Sequence, residues 1–588
     1  MKKVKYLAML LAAGMFAACS DNLEDTGAGN AGGTTPATGE GYVKVAINMP
    51  TMSGGMSRAD DGSYVDLNDG KESEYKVNTG IIAFFKANKN ADADATATFI
   101  KAYDLGNLSQ NDDLNDDHIT TKVSMVTEAP IVDDTENLYA LVILNPNNIF
   151  SVGTGETNAG NLMMGEKPVL QKNDKLSNLQ NKEIGKTTSK NCTTNGFLML
   201  NAPLTETQST SVSGVDVDAT TLALVHVYAE KSAAEAESAI ADEIYVERVV
   251  AKVTMSGWGE NGEISVGGTG SYQGDKVTLS GWTLNVVNNY TYWVRDVSGL
   301  KTWTDFTSNP GRFVGTLSVS STKSLYRVYW AIDPNYDNDQ TGNDNFTIYG
   351  SSTSDNDIEW ETNSETTIGG DEYPLYCLEN TFDVNHQIEN QTTTVLIKAI
   401  YDMNPNNESA ESFFMVENIA ATYTEKEFLD YIKSKVTALS SANLSINPNI
   451  ETGGYYNKVG GTKKLSELIL SDNAEISDES IKTALDGLGE ISYYKDGATY
   501  YYAARIQHFD SENETTWTPG ETYTEDKHLG RYGVVRNNWY EISVTSISGP
   551  GTPEIEDPTP DPDDESEGFI KCTINVLSWA KRTQEVEL

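Results

Sequence analysis

Few residues of this chain are placed to do chemistry. Its five histidines, His118, His226, His386, His508 and His528, stand far apart. No HExxH, GxSxG or GxxxxGK[ST] pattern frames a metal, a nucleophile or a phosphate. GGTGSYQG at 267–274 lacks both the spacing and the strand–turn–helix setting of a dinucleotide loop. Asp and Glu number 86, so a glycosidase-type pair has many places to sit. No spacing marks one, and solvated surface charge accounts for them. The loop DPNYDNDQTGNDN, 333–345, is the best calcium candidate, since Asp337, Asp339 and Thr341-Gly342 follow the opening of an EF-hand loop. Its twelfth position would be Ile348 instead of Glu, and a solvated loop is the expectation. Cys192, Cys377 and Cys572 are far apart and odd in number, which reads as small buried apolar residues and not a disulfide or zinc framework. No catalytic, cofactor or metal residue is assigned, and the chain is read as a non-enzyme.

Two positions invite the chemistry of other proteins. Lys2, Lys3 and Lys5 precede a short apolar run, Tyr6–Met15, and then Phe16-Ala17-Ala18-Cys19. The run is too short to span a membrane and has the layout of a signal peptide. Small residues before a cysteine resemble the lipobox of bacterial lipoproteins, with Cys19 as the lipidated first residue. The acidic run Ser20–Asp25 resembles signals that take such proteins to the outer surface. Arg58, the first arginine, sits in a Gly/Ser-rich stretch, and the next arginine is Arg248. A protease that cuts after arginine would meet one target in the first 247 residues and release a chain starting at Ala59.

The surrounding elements read as strands. In GYVKVAINM, Val43, Val45, Ile47 and Met49 alternate with Tyr42, Lys44, Ala46 and Asn48, the pattern of a half-buried strand that Pro50 ends. Further strands are expected at 80–85, 138–144, 222–228, 246–255, 282–286, 325–332, 395–401 and 540–547. EISYYKDGATYYYAARI, 490–506, predicts a hairpin turning at Asp496-Gly497. Helices are few. Thr424 and Glu427 form a capping box before Phe428, Leu429, Ile432 and Val436, and a second helix runs from about Ser477 to Gly487. At 588 residues the chain exceeds one core. Two mainly β domains with inserted helices are expected, divided near residue 243 after the helix-like run SAAEAESAIADE. The net charge of −44 excludes a nucleic-acid partner. Near the end, the acidic Pro-rich GPGTPEIEDPTPDPDDESEG, 549–568, predicts an extended, solvated spacer. After it, Ile570, Cys572, Ile574 and Val576 alternate with polar residues in FIKCTINVLSWAKRTQEVEL, a strand cut off from its own domain.

Together these features resemble the fimbrillins, the Mfa/FimA-like major subunits of type V pili. The residues that carry the resemblance are the lipobox at Cys19, Met56-Ser57-Arg58-Ala59, Glu247–Val253 (ERVVAKV), Arg536–Pro553 (RNNWYEISVTSISGPGTP) and the terminal strand with Cys572 and Trp579. The resemblance implies an all-β fold of two transthyretin-like β-sandwich domains with a few inserted helices and a detached C-terminal strand. It implies a signal peptide at 1–19 and a linker with first strand, 20–58, removed on maturation. The domains would follow at 59–243 and 244–552, and the spacer and donor strand at 553–588. Residues 336–530 depart from the family by looking expanded. The implied route is export to the outer membrane as a lipoprotein, cleavage after Arg58 by an Arg-specific protease, loss of the strand bearing Val43, Val45, Ile47 and Met49, and filling of its place by Ile570, Cys572, Ile574 and Val576 of another subunit. Partners would be other copies in a fimbrial polymer, the protease, and accessory anchor and tip subunits. The shaft role is favoured because a tip needs no donor strand and an anchor keeps its lipid. The competing expectation is a monomeric surface lipoprotein that binds glycans or host proteins, for which aromatic runs such as YYKDGATYYYAA are suited.

Overall fold

The computed structural model describes residues 39–48, 72–108, 122–208, 217–259, 262–267, 271–306, 313–319, 324–337, 344–362, 373–403, 410–417, 419–508, 517–565 and 570–578. Within them the fold is mainly β. The first unit is built on β1 (Glu40–Asn48), β2 (Thr79–Asn88), β3 (Thr98–Asn107), β4 (Lys122–Pro130), β5 (Glu136–Leu144), β6 (Met199–Asn201), β7 (Ala223–Val225), β8 (Val227–Tyr228) and β9 (Asp242–Arg248). Its hydrogen-bonded order is β8-β1-β9-β6-β5-β2-β3, with β4 added to β1 and β7 to β5. The sheet folds over on itself at β9, whose first half runs parallel to β1 and whose second half runs antiparallel to β6. Strands apolar on both faces, such as the LYALVIL run of β5, form the inner layer and are buried along their length. Val43, Val45 and Ile47 of β1 join Ile81, Phe84 and Ile143 in one core.

The run 246–255 is not one strand. Val249 divides it: β9 belongs to the first unit, and β10 (Val250–Ser256) opens the second. The change of sheet therefore falls a few residues beyond 243. The second unit is a sandwich. One sheet holds β13 (Leu375–Leu378), β10, β20 (Asn538–Ile547) and β21 (Ile570–Ser578) in that order. The other holds β11 (Glu263–Ser265), β12 (Lys276–Asn285), β14 (Thr394–Asp402) and β19 (Ala498–Arg505). Val253, Trp282, Ile397, Tyr501 and Ile542 interdigitate between them.

An inserted unit has its own core. Strands β15 (Phe413–Val416), β16 (Ile419–Thr424), β17 (Gly454–Tyr456) and β18 (Ile491–Tyr494) form a sheet in the order β16-β15-β18-β17. Helix α2 (Glu425–Lys435) lies against it through Phe428 and Ile432, and its capping box at Thr424 and Glu427 is formed as expected. Helix α3 (Glu479–Asp486) is capped by Asp478. The run 232–243 is helical only in α1 (Lys231–Glu235). The expected hairpin at 490–506 is a tight turn with positive φ at Asp496 and Gly497, yet its arms do not pair. Tyr493 of β18 stacks on Phe414 inside the inserted unit, while β19 pairs with β14 of the sandwich. Tertiary packing separates what the local turn would join.

The two larger units meet at a buried charged joint. Arg295 lies 3.6 Å from Glu247 and 3.1 Å from Glu379. Arg327 lies 3.5 Å from Glu247, and Arg536 3.1 Å from Glu379. Beside them Lys252 reaches Glu74 at 3.0 Å and sits 3.9 Å over the Trp539 ring. Arg248 donates to the Glu74 carbonyl and to Asn537 Oδ1. The ERVVAKV and RNNWYEI segments thus each bring a charged residue to this joint, Glu247 paired with Arg295 and Arg327, and Arg536 paired with Glu379, and β10 and β20 run parallel with Lys252 opposite Trp539. Buried ions are costly to desolvate, so each depends on its partner. Glu247→Ala is expected to destabilise the folded chain by about 3–5 kcal/mol in denaturant unfolding; an unchanged midpoint would contradict this role.

Candidate functional site

The candidate site is the slot that β1 occupies. Nine residues pair antiparallel with β4, from Glu40 opposite Pro130 to Asn48 opposite Lys122. On the other edge, Tyr42 and Val43 pair with β8, and Val45 to Asn48 pair with the start of β9. β1 is therefore an interior strand held on both edges. Val43 and Val45 are fully buried and Ile47 is 1% exposed. On the opposite face, Ala46 is fully buried and Asn48 is 5% exposed, with its Nδ2 donating to the Ala46 carbonyl at 3.1 Å. Lys44 Nζ donates to the carbonyls of Ala236 (3.2 Å) and Ala239 (3.4 Å), just past α1. The wall is pinned by Asp242, which accepts from the His226 backbone N–H and lies 2.6 Å from its ring Nδ1. Met49, Arg58, Ala59 and Cys19 lie outside the described residues. Downstream, Glu74 is fully buried in the joint, so the chain is anchored again soon after Arg58.

The terminal segment differs from the sequence reading in two ways. It is not detached: β21 forms the edge of its own sheet, antiparallel to β20, with Ile574 opposite Ile542 and Val576 opposite Tyr540. The spacer before it is strapped to the body, with Pro553, Ile555 and Asp563 buried, while Asp557 and residues 559–561 stay exposed. Thr552 and Tyr500 exchange backbone hydrogen bonds of 2.8 and 2.9 Å. Glu554 pairs with Lys463 at 2.6 Å, and Glu556 with Lys458 at 3.1 Å. Ile555 is buried beside Ile358 and Leu396. The strap ends in two aspartates of different character. Asp563 is buried against Arg505 (2.9 Å) and accepts from Thr392 Oγ1 at 2.6 Å. Asp564 takes both forks of Arg531, at 2.9 and 2.7 Å, and the hydroxyls of Tyr523 and Tyr532, each at 2.8 Å. The acidic run stays bound because it finds the cations and phenols of its own chain in a protein otherwise strongly negative.

The tyrosine-rich run is part of this arrangement. A cleft of ≈ 950 Å³ opens beside it, lined by Tyr455, Tyr500 and Tyr502 together with the strap. Tyr494 donates to the Gly551 carbonyl at 2.7 Å, Tyr501 to Gly549 at 3.0 Å and Tyr502 to Glu556 at 2.7 Å. These phenols hold the strap. Sequence reasoning missed the partners Arg505 and Arg531, although arginine is rare here and each one is a signal. Cys192 and Cys377 are fully buried, with thiols pushed up to about 12 by burial, as small apolar residues would be. Of the calcium candidate, residues 338–343 lie outside the described residues. Asp333 is committed to the backbone N–H groups of Asn335 and Thr381 and to Asn288 Nδ2.

Residues 492–585 match the family described as Major fimbrial subunit protein type IV, Fimbrillin, C-terminal. That span holds β19, β20, the strap and β21. The chain is accordingly fimbrillin-like in its C-terminal segment, and that family is one of structural fimbrial subunits. No curated protein matches the chain. Among solved structures it is similar to a fimbrilin (fimA) from Porphyromonas gingivalis, at 13% identity and TM-score 0.35, covering 92% of this chain and 99% of that one. It is also similar to the tip fimbrial protein Mfa3 from Porphyromonas gingivalis, at 9% identity and TM-score 0.31, covering 91% and 99%.

The two aspartates give opposite pH responses. Burial, opposed by Arg505, raises Asp563 to about 7. Its contribution to strap docking is full below the ordinary carboxylate pKa and is lost as pH rises through about 7. For Asp564, burial is outweighed by Arg531 and the phenols, which hold it below 3.8, so its contribution is present at neutral pH and lost on acidification. Asp564→Asn is expected to loosen the strap at pH 7 by about 1.5–3 kcal/mol. Asp563→Asn should instead flatten the weakening between pH 5 and 8. Hydrogen exchange of residues 551–565 reads both, and equal effects of the two substitutions would contradict the assignment.

Proposed function

We propose that this chain is a shaft subunit of a cell-surface fimbria, exported as a lipoprotein through Cys19, cleaved after Arg58 and polymerised when the terminal strand of one copy takes the place of β1 in the next. The observation that carries this reading is the contrast between the two strands. β1 and β21 are each nine residues long. Among the described residues β1 has neighbours on both edges, whereas β21 ends its sheet and has one. Loss of β1 would leave β4, β8 and β9 facing an open slot with unpaired backbone groups. It would also expose the pockets of Val43, Val45 and Ile47, worth on the order of 5–9 kcal/mol in all. A β21 that moved from its own edge into that slot would exchange one ladder for two, which is β-strand addition with a net gain in pairing.

The arginines support processing at Arg58. Among the described residues, Arg248, Arg295, Arg327 and Arg536 are buried. Arg505 and Arg531 are 15% and 13% exposed, and each is held in an ion pair. The exposed cations of the described body are lysines, so a protease specific for arginine meets little accessible substrate there. The strap also sets the geometry of exchange. With Asp563 and Asp564 clamped, only residues 566–569 separate Glu565 from Ile570, a reach of about 17 Å. Neighbouring subunits would then be held close and at a defined spacing. A glycan-binding monomer would need its tyrosines available, and Tyr494, Tyr501 and Tyr502 are engaged with the strap.

Mass analysis of the processed protein is expected to give an N-terminus at Ala59, and Arg58→Ala is expected to remain a lipidated monomer. A peptide of residues 568–588 is expected to bind the cleaved, tail-truncated protein and not the uncut precursor. Normal polymerisation of Arg58→Ala, or equal peptide binding to both forms, would overturn the reading.

A further inference from the structure

The segments Val43–Met49 and Ile570–Val576, read without a gap as VKVAINM and IKCTINV, share Lys, Ile and Asn at the second, fifth and sixth positions. In β1 those three residues have distinct tasks. Lys44 ties the strand to the Ala236 and Ala239 carbonyls, Ile47 is a core residue at 1% exposure, and Asn48 is the buried polar residue whose amide bonds the Ala46 carbonyl. The remaining pairs are Val43/Ile570, Val45/Cys572, Ala46/Thr573 and Met49/Val576. One methylene is added at the first of these and side-chain volume is lost at the second, so the inner face stays close to constant in volume.

We propose that the terminal strand of a second copy replaces β1 residue for residue and in the same direction, with Lys571 on the Ala236 and Ala239 carbonyls and Ile574 and Asn575 in the places of Ile47 and Asn48. This rests on the strand-exchange reading and adds the register and the residue that sets it. Other placements are disfavoured by the slot itself. A slip by one residue turns the apolar face outward. A slip by two in one direction puts Lys571 at Ala46, which is fully buried. A slip by two in the other puts Asn575 there and leaves the Ala236 and Ala239 carbonyls to a threonine. Reversal about Thr573 puts Lys571 at Asn48, which is 5% exposed. Of these placements, the in-register, same-direction one alone keeps the lysine at a half-exposed position with acceptors waiting. In it, Thr573 of the incoming strand lies opposite Ser124 on β4 and Glu243 on β9, the partners of Ala46. The C-terminal strand thus carries the specificity for its own kind in a lysine and an asparagine, beyond its apolar alternation.

The test uses the full-length chain with Cys572→Val, which restores the residue of β1. After cleavage and polymerisation under mild oxidation, Ser124→Cys with Thr573→Cys is expected to give disulfide-linked ladders between subunits. Ser124→Cys with Lys571→Cys or with Asn575→Cys is expected to give none. Separately, Lys571→Met in the 568–588 peptide should weaken binding to the cleaved protein about tenfold or more, with Lys571→Arg largely restoring it. A full chain carrying VKVAINM at 570–576 should polymerise like the original. Cross-linking by a shifted pair, or an unchanged affinity for Lys571→Met, overturns the register while the original peptide still binds. Failure of the original peptide to bind overturns strand exchange itself, and the register with it.

Discussion

The molecule depends on a β-strand that needs a neighbour on each edge. β1 fills a position between β4 on one side and β8 and β9 on the other, and its apolar residues close the core of the first unit. Backbone groups in such a position have no solvent to turn to, and the pockets beneath are filled by Val43, Val45 and Ile47. The segment that meets this need is joined to the rest by a stretch containing an exceptional arginine. In the proposed reading, a single cut in that stretch would disconnect the strand and open its position to another.

Buried ion pairs tie together the parts that flank that slot and the strand proposed to fill it. The charged joint of Glu247, Arg295, Arg327, Glu379 and Arg536 binds the first unit to the sandwich. Glu74 roots the chain downstream of Arg58 in the same joint. At the other end, Asp563 and Asp564 tie the strap to Arg505 and Arg531 a few residues before β21. On its own sheet β21 is, among the described residues, an edge strand with a single partner. That placement covers the β20 edge, and under the proposed exchange β21 would gain a second neighbour.

Much of the fold was legible in the sequence because burial on one or both faces writes itself as alternation or as an apolar run. β1, β2, β5 and β14 were readable for that reason, and the capping box named the start of α2. The failures have physical causes. The 246–255 run reads as one strand because both halves are apolar, and only the long-range pairing of Val250 with Leu378 and of Val246 with Asn201 shows the change of sheet at Val249. The Asp496-Gly497 turn is correctly tight, but turn chemistry is silent about which sheets its arms join. The acidic spacer looks solvated because composition cannot reveal that Arg505, Arg531, Tyr523 and Tyr532 converge on two of its carboxylates. The same blindness hid the role of Lys44, whose acceptors lie almost two hundred residues away.

The central claim is that the slot of β1 opens on cleavage and is closed by another copy. Hydrogen exchange at the backbone amides of β4 and β9 follows this through each state of the protein. The account predicts slow exchange in the uncut precursor, fast exchange in the cleaved, tail-truncated monomer, and slow exchange again in the polymer. Amides of β4 that remained protected after cleavage, or that stayed fast in the polymer, would contradict it.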